Sequence, residues 1–246
     1  MIWNLLLAHV LTDFVFQSKS IADNKLKFKE SGKHCLYLLI LSILILLISG
    51  YRNEYLLIPL MMISLIHGII DYFKAKIDAK TDDKWGWLLF TIDQLVHIIS
   101  IITVLLIFLP QYATGYFEKI GYYYNSTNWI KLSLFLTLIT FGGCYFTSAV
   151  CQGLKPTEKQ KKEFAVIQNE SLLNAGKYIG IVERVIIFGS ILIGRYEIIG
   201  FLIAAKSIIR HQDANHKNRM FTEYFLIGTF TSFIWAAFFT FLYLKL

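Results

Sequence analysis

The charged residues of this chain are gathered into short clusters, and between them lie eight apolar segments at about 1–17, 34–50, 55–73, 87–110, 129–150, 174–194, 196–210 and 222–244. Segments of that length and composition are what helices need to cross a hydrocarbon layer roughly 30 Å thick, and a lipid-exposed backbone leaves few alternatives to helix because its polar groups must pair internally. With 56 % hydrophobic and 16 % aromatic residues over 246 positions, no polar stretch is long enough for a separate soluble domain, the longest being 152–175. The expectation is an all-α polytopic transmembrane bundle forming a single domain over 1–246. The first sixteen residues lack a basic leader and a small-residue cleavage site, so they are read as a retained helix.

Loop charge tests the segment count. Segments 18–33, 74–86, 151–173 and 206–221 hold most of the lysines and arginines, whereas the alternate loops hold little beyond Arg52, Lys119, Lys131 and Arg195. The positive-inside bias then predicts eight crossings, both termini outside, and the basic loops in the cytoplasm of a bacterial inner membrane. It also accounts for the formal charge of +7 without nucleic acid, because the basic residues are spread over several loops. Membrane lipids are the expected surroundings. Cys35, Cys144 and Cys151 show no CxxC spacing and read as free thiols. Gly142, Gly143, Gly189, Gly194 and Gly200 read as sites of close helix packing.

Inside the apolar segments stand three His/Asp pairs at i, i+4 spacing: His9 with Asp13, His67 with Asp71, and Asp93 with His97. Residues four apart share a helix face. The third pair is written in reverse order, and the loop charges make its helix run opposite to the first and third, so all three aspartates fall on one level and all three histidines one turn deeper. An unpaired charged side chain in hydrocarbon costs about 2.5–3.5 kcal/mol on insertion scales, so the six groups must satisfy one another or an ion.

A divalent metal does this best. Neutral imidazoles and carboxylates are the donor set of zinc, with manganese or iron as alternatives. A coordinated ion with an open position would activate water or a phosphoester, and Asp13, Asp71 or Asp93 would serve as general base. The other readings are a proton or ion relay and a set of interhelical hydrogen-bond clamps. His34, at the start of the second segment, could serve as a seventh ligand, but an interfacial histidine beside a basic loop is more often solvated, and it is expected to stand behind the ligands rather than among them. Glu183, Arg184, Lys206 and Arg210 form the expected substrate group, the cations holding a phosphate and Glu183 holding Arg184 or an amine, with Ser207 able to add a hydrogen bond and Glu223 standing behind them. Membrane anchoring by Lys206 and Arg210 is the plainer alternative.

The motifs Leu5-Leu-Leu-Ala-His-Val-Leu-Thr-Asp13, His67-Gly-Ile-Ile-Asp71, Asp93-Gln-Leu-Val-His97, Ile179-Gly-Ile-Val-Glu-Arg184, the run from Ile199 to Arg210, and Glu223-Tyr-Phe-Leu-Ile-Gly-Thr229 resemble, end to end, the bacterial membrane family called domain of unknown function 3307. That family implies no activity. The histidine and aspartate pairs are also similar in style to membrane-bound metal-dependent hydrolases. The leading functional expectation is a metal-dependent hydrolase or transferase acting on a lipid or phosphate-bearing substrate. A metal or ion transporter and a non-catalytic membrane effector or interaction protein are the alternatives.

Overall fold

Each of the eight apolar segments contains helix. The computed structural model describes residues 1–18, 20–21, 24–109, 120–154, 175–213 and 219–246, with backbone alone at 28, 120–127, 209–213 and 219–222. The helices are α1 (Ile2–Phe14), α2 (Phe28–Ile48), α3 (Leu57–Asp78), α4 (Gly86–Phe108), α5 (Ile120–Thr137), α6 (Gly143–Gln152), α7 (Ala175–Leu192), α8 (Glu197–Asp213) and α9 (Arg219–Lys245), and no strand occurs among the described residues. A π-helical turn, Leu138–Gly142, stands between α5 and α6. Lys19, Pro110, Lys119, the 155–162 stretch and Lys217 lie outside the described residues, as do the side chains of Tyr122, Tyr123, Tyr124, Asn125 and Arg210.

Among the described residues, five stretches are long and apolar enough to cross a membrane: Lys29–Ile48, Glu54–Asp78, Asp83–Phe108, Asn128–Gln152 and Glu223–Lys245. This is a helical membrane protein by that measure. The α7 helix carries Lys177, Glu183 and Arg184 within its 18 residues, and α8 has 17 residues. At about 1.5 Å per residue, the 13 residues of α1 extend roughly 20 Å, less than a hydrocarbon core. Its burial offsets that shortness: nine of the thirteen are buried, on more than one face, which is the pattern of a helix enclosed by others.

The chain divides into two compact units. Unit 1 comprises Met1–Asp82 and Leu88–Thr137, and unit 2 comprises Asp83–Trp87 and Leu138–Leu246. In unit 1, α1 packs on α2 and α5, and α2 packs on α3. Leu5 and Ala8 of α1, Leu38 and Leu46 of α2, Leu60 and Ile63 of α3, and Ile101 and Val104 of α4 form one buried apolar cluster. These residues precede His9 and His67 but follow His34 and His97 in the chain. The apolar core therefore fills one end of the four helices, and the ionisable residues occupy the other.

Local chemistry explains the helix ends of unit 1. The Asn53 side chain accepts the Tyr55 N–H in the short 3-10 turn that leads into α3, and Pro59 sits in the first turn of α3, where no intrahelical donor is lost. Gly50 closes α2 at φ 86°, with its N–H on Leu47 O and the Tyr51 N–H on Leu46 O, a Schellman pattern that needs a left-handed residue.

In unit 2, α7 packs on α9 and on the π turn, and α9 packs on α6. Gly143 is a true close approach, since a Cβ there would stand 2.8 Å from Arg184 Cδ and 2.9 Å from the Trp235 ring. The packing role expected of Gly189, Gly194 and Gly200 is corrected: a Cβ at each would meet nothing within 4 Å. Gly194 instead terminates α7 at φ 68°, again as a Schellman cap. Cys35, Cys144 and Cys151 are free.

Candidate metal centre

The geometry begins with α1, whose last turns present His9 and Asp13. Alongside, α3 presents His67 and Asp71, and α4 presents Asp93 and His97 in the reverse order. Interatomic distances show that the reversal does what its spacing predicts. The ring centroids of His67 and His97 are 4.2 Å apart, those of His9 and His97 4.9 Å, and those of His9 and His67 5.3 Å. On the carboxylate level, His67 Nε2 stands 3.3 Å from Asp13 Oδ1 and 3.5 Å from Asp71 Oδ2, while His97 Nε2 stands 3.5 Å from Asp93 Oδ1 and 3.7 Å from Asp71 Oδ1. The Gln94 amide donates to Asp93 Oδ2 at 3.1 Å and to Asp13 Oδ2 at 3.4 Å, tying α4 to α1.

His34 joins them. It is 1 % exposed, not solvated, and its Nε2 lies 3.1 Å from Asp13 Oδ1 and 3.2 Å from Asp71 Oδ2. Two contacts set its position. The Ser64 hydroxyl donates to Cys35 O at 2.6 Å, and Gly68 has no side chain where a Cβ would collide with Cys35 Sγ, so α2 and α3 approach closely at this level.

One cation from outside the helices completes the cluster. Lys25, in the connection between α1 and α2, donates from Nζ to Asp71 Oδ1 at 2.8 Å. Burial works against its ammonium, but Asp71 beside it, with Asp13 and Asp93 farther off, outweighs burial and raises the Lys25 pKa above its ordinary value. Nothing in its spacing marked Lys25 apart from its neighbours in a basic loop. The amide of Gln94 was likewise unsuspected, though its place beside Asp93 was visible.

The charge balance of this cluster is informative. Among the described residues the cluster sets three carboxylates against one ammonium, and none of the seven histidines and aspartates is more than 7 % exposed. Eight buried atoms here make no hydrogen bond: both ring nitrogens of His9 and of His97, Nδ1 of His34, Nε2 of His67, Oδ2 of Asp71 and Oδ1 of Asp93. Buried polar atoms ordinarily find partners, and a set of imidazole nitrogens without hydrogen bonds, facing three carboxylates, suits a divalent cation. Three groupings have donor atoms within 4.8 Å of one another: His9, His67 and His97; Asp13, His34 and His67; and Asp13, Asp93 and His97. The buried histidines and aspartates can hold a metal ion.

The expected substrate group belongs to unit 2. Glu183 Oε2 accepts from Lys206 Nζ at 2.6 Å, so its partner is the amine and not Arg184. Arg184 is 2 % exposed and donates to Ser232 Oγ at 2.7 Å, Thr140 O at 2.9 Å and Cys144 Sγ at 2.7 Å. The π turn supplies that carbonyl and also Leu138 O, which takes the Trp235 Nε1–H at 2.9 Å. Ser207 Oγ donates back to Ile203 O, and Glu223 is exposed near the start of α9.

Comparison with known proteins gives one match: a family model described as "Protein of unknown function (DUF3307)" covers residues 1–120. The matched stretch contains all seven histidines and aspartates of the cluster together with Lys25 and Gln94. The motifs at 179–184, 199–210 and 223–229, which the sequence resemblance included, lie outside it. No curated protein and no solved structure matches the chain.

Proposed function

We propose, for a chain whose residues 1–120 match the model of the family of unknown function DUF3307, that its working part is a divalent metal centre embedded at one end of a helix bundle in the bacterial inner membrane. The ligands are drawn from His9, His67, His97, Asp13, Asp71 and Asp93, with His34 bridging two of the carboxylates. Zinc fits the donors best, and manganese or iron would also suit them. The observation that carries this reading is the buried cluster of histidines and aspartates whose donor atoms lie within 4.8 Å of one another, with imidazole nitrogens left without hydrogen bonds.

The chemistry we infer is hydrolysis or group transfer on a lipid or phosphate-bearing substrate. A bound divalent ion would supply Lewis acidity there. This chain's own residues would do the rest: one of Asp13, Asp71 and Asp93 accepts a proton from the attacking group, and Gln94 holds two of these carboxylates in place. Lys206 and Arg184 are engaged by Glu183, Ser232 and Thr140, so support for phosphate recognition falls on Lys25 rather than on them. Eight crossings, both termini outside and the centre on the cytoplasmic side follow from the loop charges.

Transit of an ion is less well supported. Among the described residues of unit 1, the buried side chains beyond the histidine level are apolar apart from Asn4, Ser42 and Ser64, and none of them is ionisable. The direct test is metal analysis of protein purified without chelators. About one zinc, manganese or iron per chain is expected, lost in the His9→Ala/His67→Ala double variant; metal-free wild-type protein would overturn the reading.

A further inference from the structure

Between α2 and α3 runs a groove of about 640 Å³, lined along its length by Leu36, Leu39, Met61, Leu65 and Ile69, and by Lys25 and Ser31 where it reaches the level of Tyr72. Its volume lies within the range of roughly 300–1,000 Å³ typical of small-ligand sites. Met61 to Phe73 spans about 18 Å of helix, more than half of a hydrocarbon core. The walls are open, with Leu36 52 %, Leu65 62 % and Ile69 56 % exposed. In a bilayer these surfaces face acyl chains.

The charge at one end is what makes this more than a lipid-facing crevice. Among the described residues, Lys25 is the one charged residue lining the groove, and its ammonium is the same one that touches Asp71 of the metal centre. An ammonium has three N–H donors, and the Asp71 bond uses one. A ligand lying in the groove with its apolar chain along α2 and α3 would therefore end against a cation, with the Asp71 carboxylate 2.8 Å beyond it. That combination selects an amphiphile with an anionic head.

We propose that this groove seats the apolar chain of a lipid bearing a phosphate head, and that Lys25 holds the phosphate at the edge of the metal centre. The proposal rests on the metal-centre reading for the use made of the head, but the binding itself is separable. Lys25 has two duties under this scheme, balancing Asp71 and holding phosphate, and only the second requires the groove. A soluble phosphate has no use for the apolar walls; a neutral lipid has none for Lys25.

The test uses the full chain in phosphatidylcholine nanodiscs with a phosphatidic acid carrying a mid-chain diazirine, photolysed and mapped by mass spectrometry, while metal content is measured on the same samples. Crosslinks should fall on Leu36, Leu65 or Ile69. Unlabelled phosphatidic acid should compete, whereas diacylglycerol and inorganic phosphate should not. Lys25→Met should reduce crosslinking about tenfold or more, the loss expected for one charge-assisted hydrogen bond, and should keep its metal. Leu65→Trp, which fills the groove from its open side, should reduce crosslinking likewise and leave metal content unchanged.

Crosslinking undiminished in Lys25→Met, or competition by diacylglycerol equal to that by phosphatidic acid, would overturn the proposal while leaving the metal centre standing. Full competition by inorganic phosphate would overturn it in favour of a soluble ligand. Specific crosslinking in a metal-free wild-type protein would uphold the groove and remove the metal centre instead.

Discussion

His34 Nε2 lies 3.1 Å from Asp13 Oδ1, joining the first turns of α2 to the last turn of α1 across 21 residues of chain. The same nitrogen stands 3.2 Å from Asp71 Oδ2, so one imidazole bridges two carboxylates from two other helices. His34→Ala leaves those carboxylates facing each other without it. Leaving a buried polar group without its hydrogen-bond partner costs about 1–3 kcal/mol, and more where that group is charged. The expected outcome is a clear fall in the thermal midpoint of the detergent-solubilised protein and a loss of metal on gel filtration; a variant with wild-type midpoint and metal content would remove His34 from the centre.

Gly68 allows α2 and α3 to meet beside the centre. Gly68→Ala would drive a methyl group into Cys35 Sγ, and overpacking of this kind costs about 1–3 kcal/mol. Lower metal occupancy should follow, because His34 and His67 are carried by the two helices being pushed apart. Cys35→Ala in the same chain should restore both stability and metal, which a general folding defect would not allow.

Removing the proposed ion should cost stability by an amount that grows with the logarithm of its affinity. A ligand at a hundred times its dissociation constant stabilises the folded state by about 2.7 kcal/mol. Prolonged dialysis against a chelator should therefore lower the thermal midpoint, and added zinc should restore it in wild type but not in the His9→Ala/His67→Ala variant.

Lys25 and Asp71 are expected to be energetically coupled. A double-mutant cycle of Lys25→Met and Asp71→Asn, read by denaturation, should return an interaction of about 1–3 kcal/mol. Lys25→Met alone should not weaken metal binding, because it removes a positive charge from the ligand cluster. Weaker binding would show that the ammonium positions Asp71 rather than balancing it.

Arg184 supplies the contrasting case. Arg184→Gln withdraws donors from Ser232, Thr140 O and Cys144, at a cost of about 1–3 kcal/mol for the buried groups left behind. Unit 2 should lose stability while metal content stays at the wild-type level, since every proposed ligand belongs to unit 1.

The parts of this protein that could be read from its residues are those governed by local geometry. Each of the eight apolar runs coincides with helix among the described residues, and i, i+4 spacing named six members of the cluster. Both rest on rules that act within one or two turns of backbone. Where composition and hydrogen bonding part company, sequence reading erred. The second apolar segment starts at His34, but α2 starts at Phe28, because helical bonding continues through the polar residues 29–33. Those six extra positions put His34 inside the bundle instead of at its mouth. Gly194 shows the same limit, since a helix-ending glycine and a packing glycine look alike until the neighbouring helix is placed.

Residue order alone thus determined a helical membrane protein, three aligned His/Asp pairs and the reversed sense of the third, each a consequence of helix periodicity and loop charge. Tertiary structure decided what completes the cluster. Lys25 reaches Asp71 because of the path of a connection, and His34 reaches Asp13 and Asp71 because Gly68 lets two helices close up. Neither follows from spacing, since a loop's path and a helix pair's separation are set by packing between segments distant in the chain.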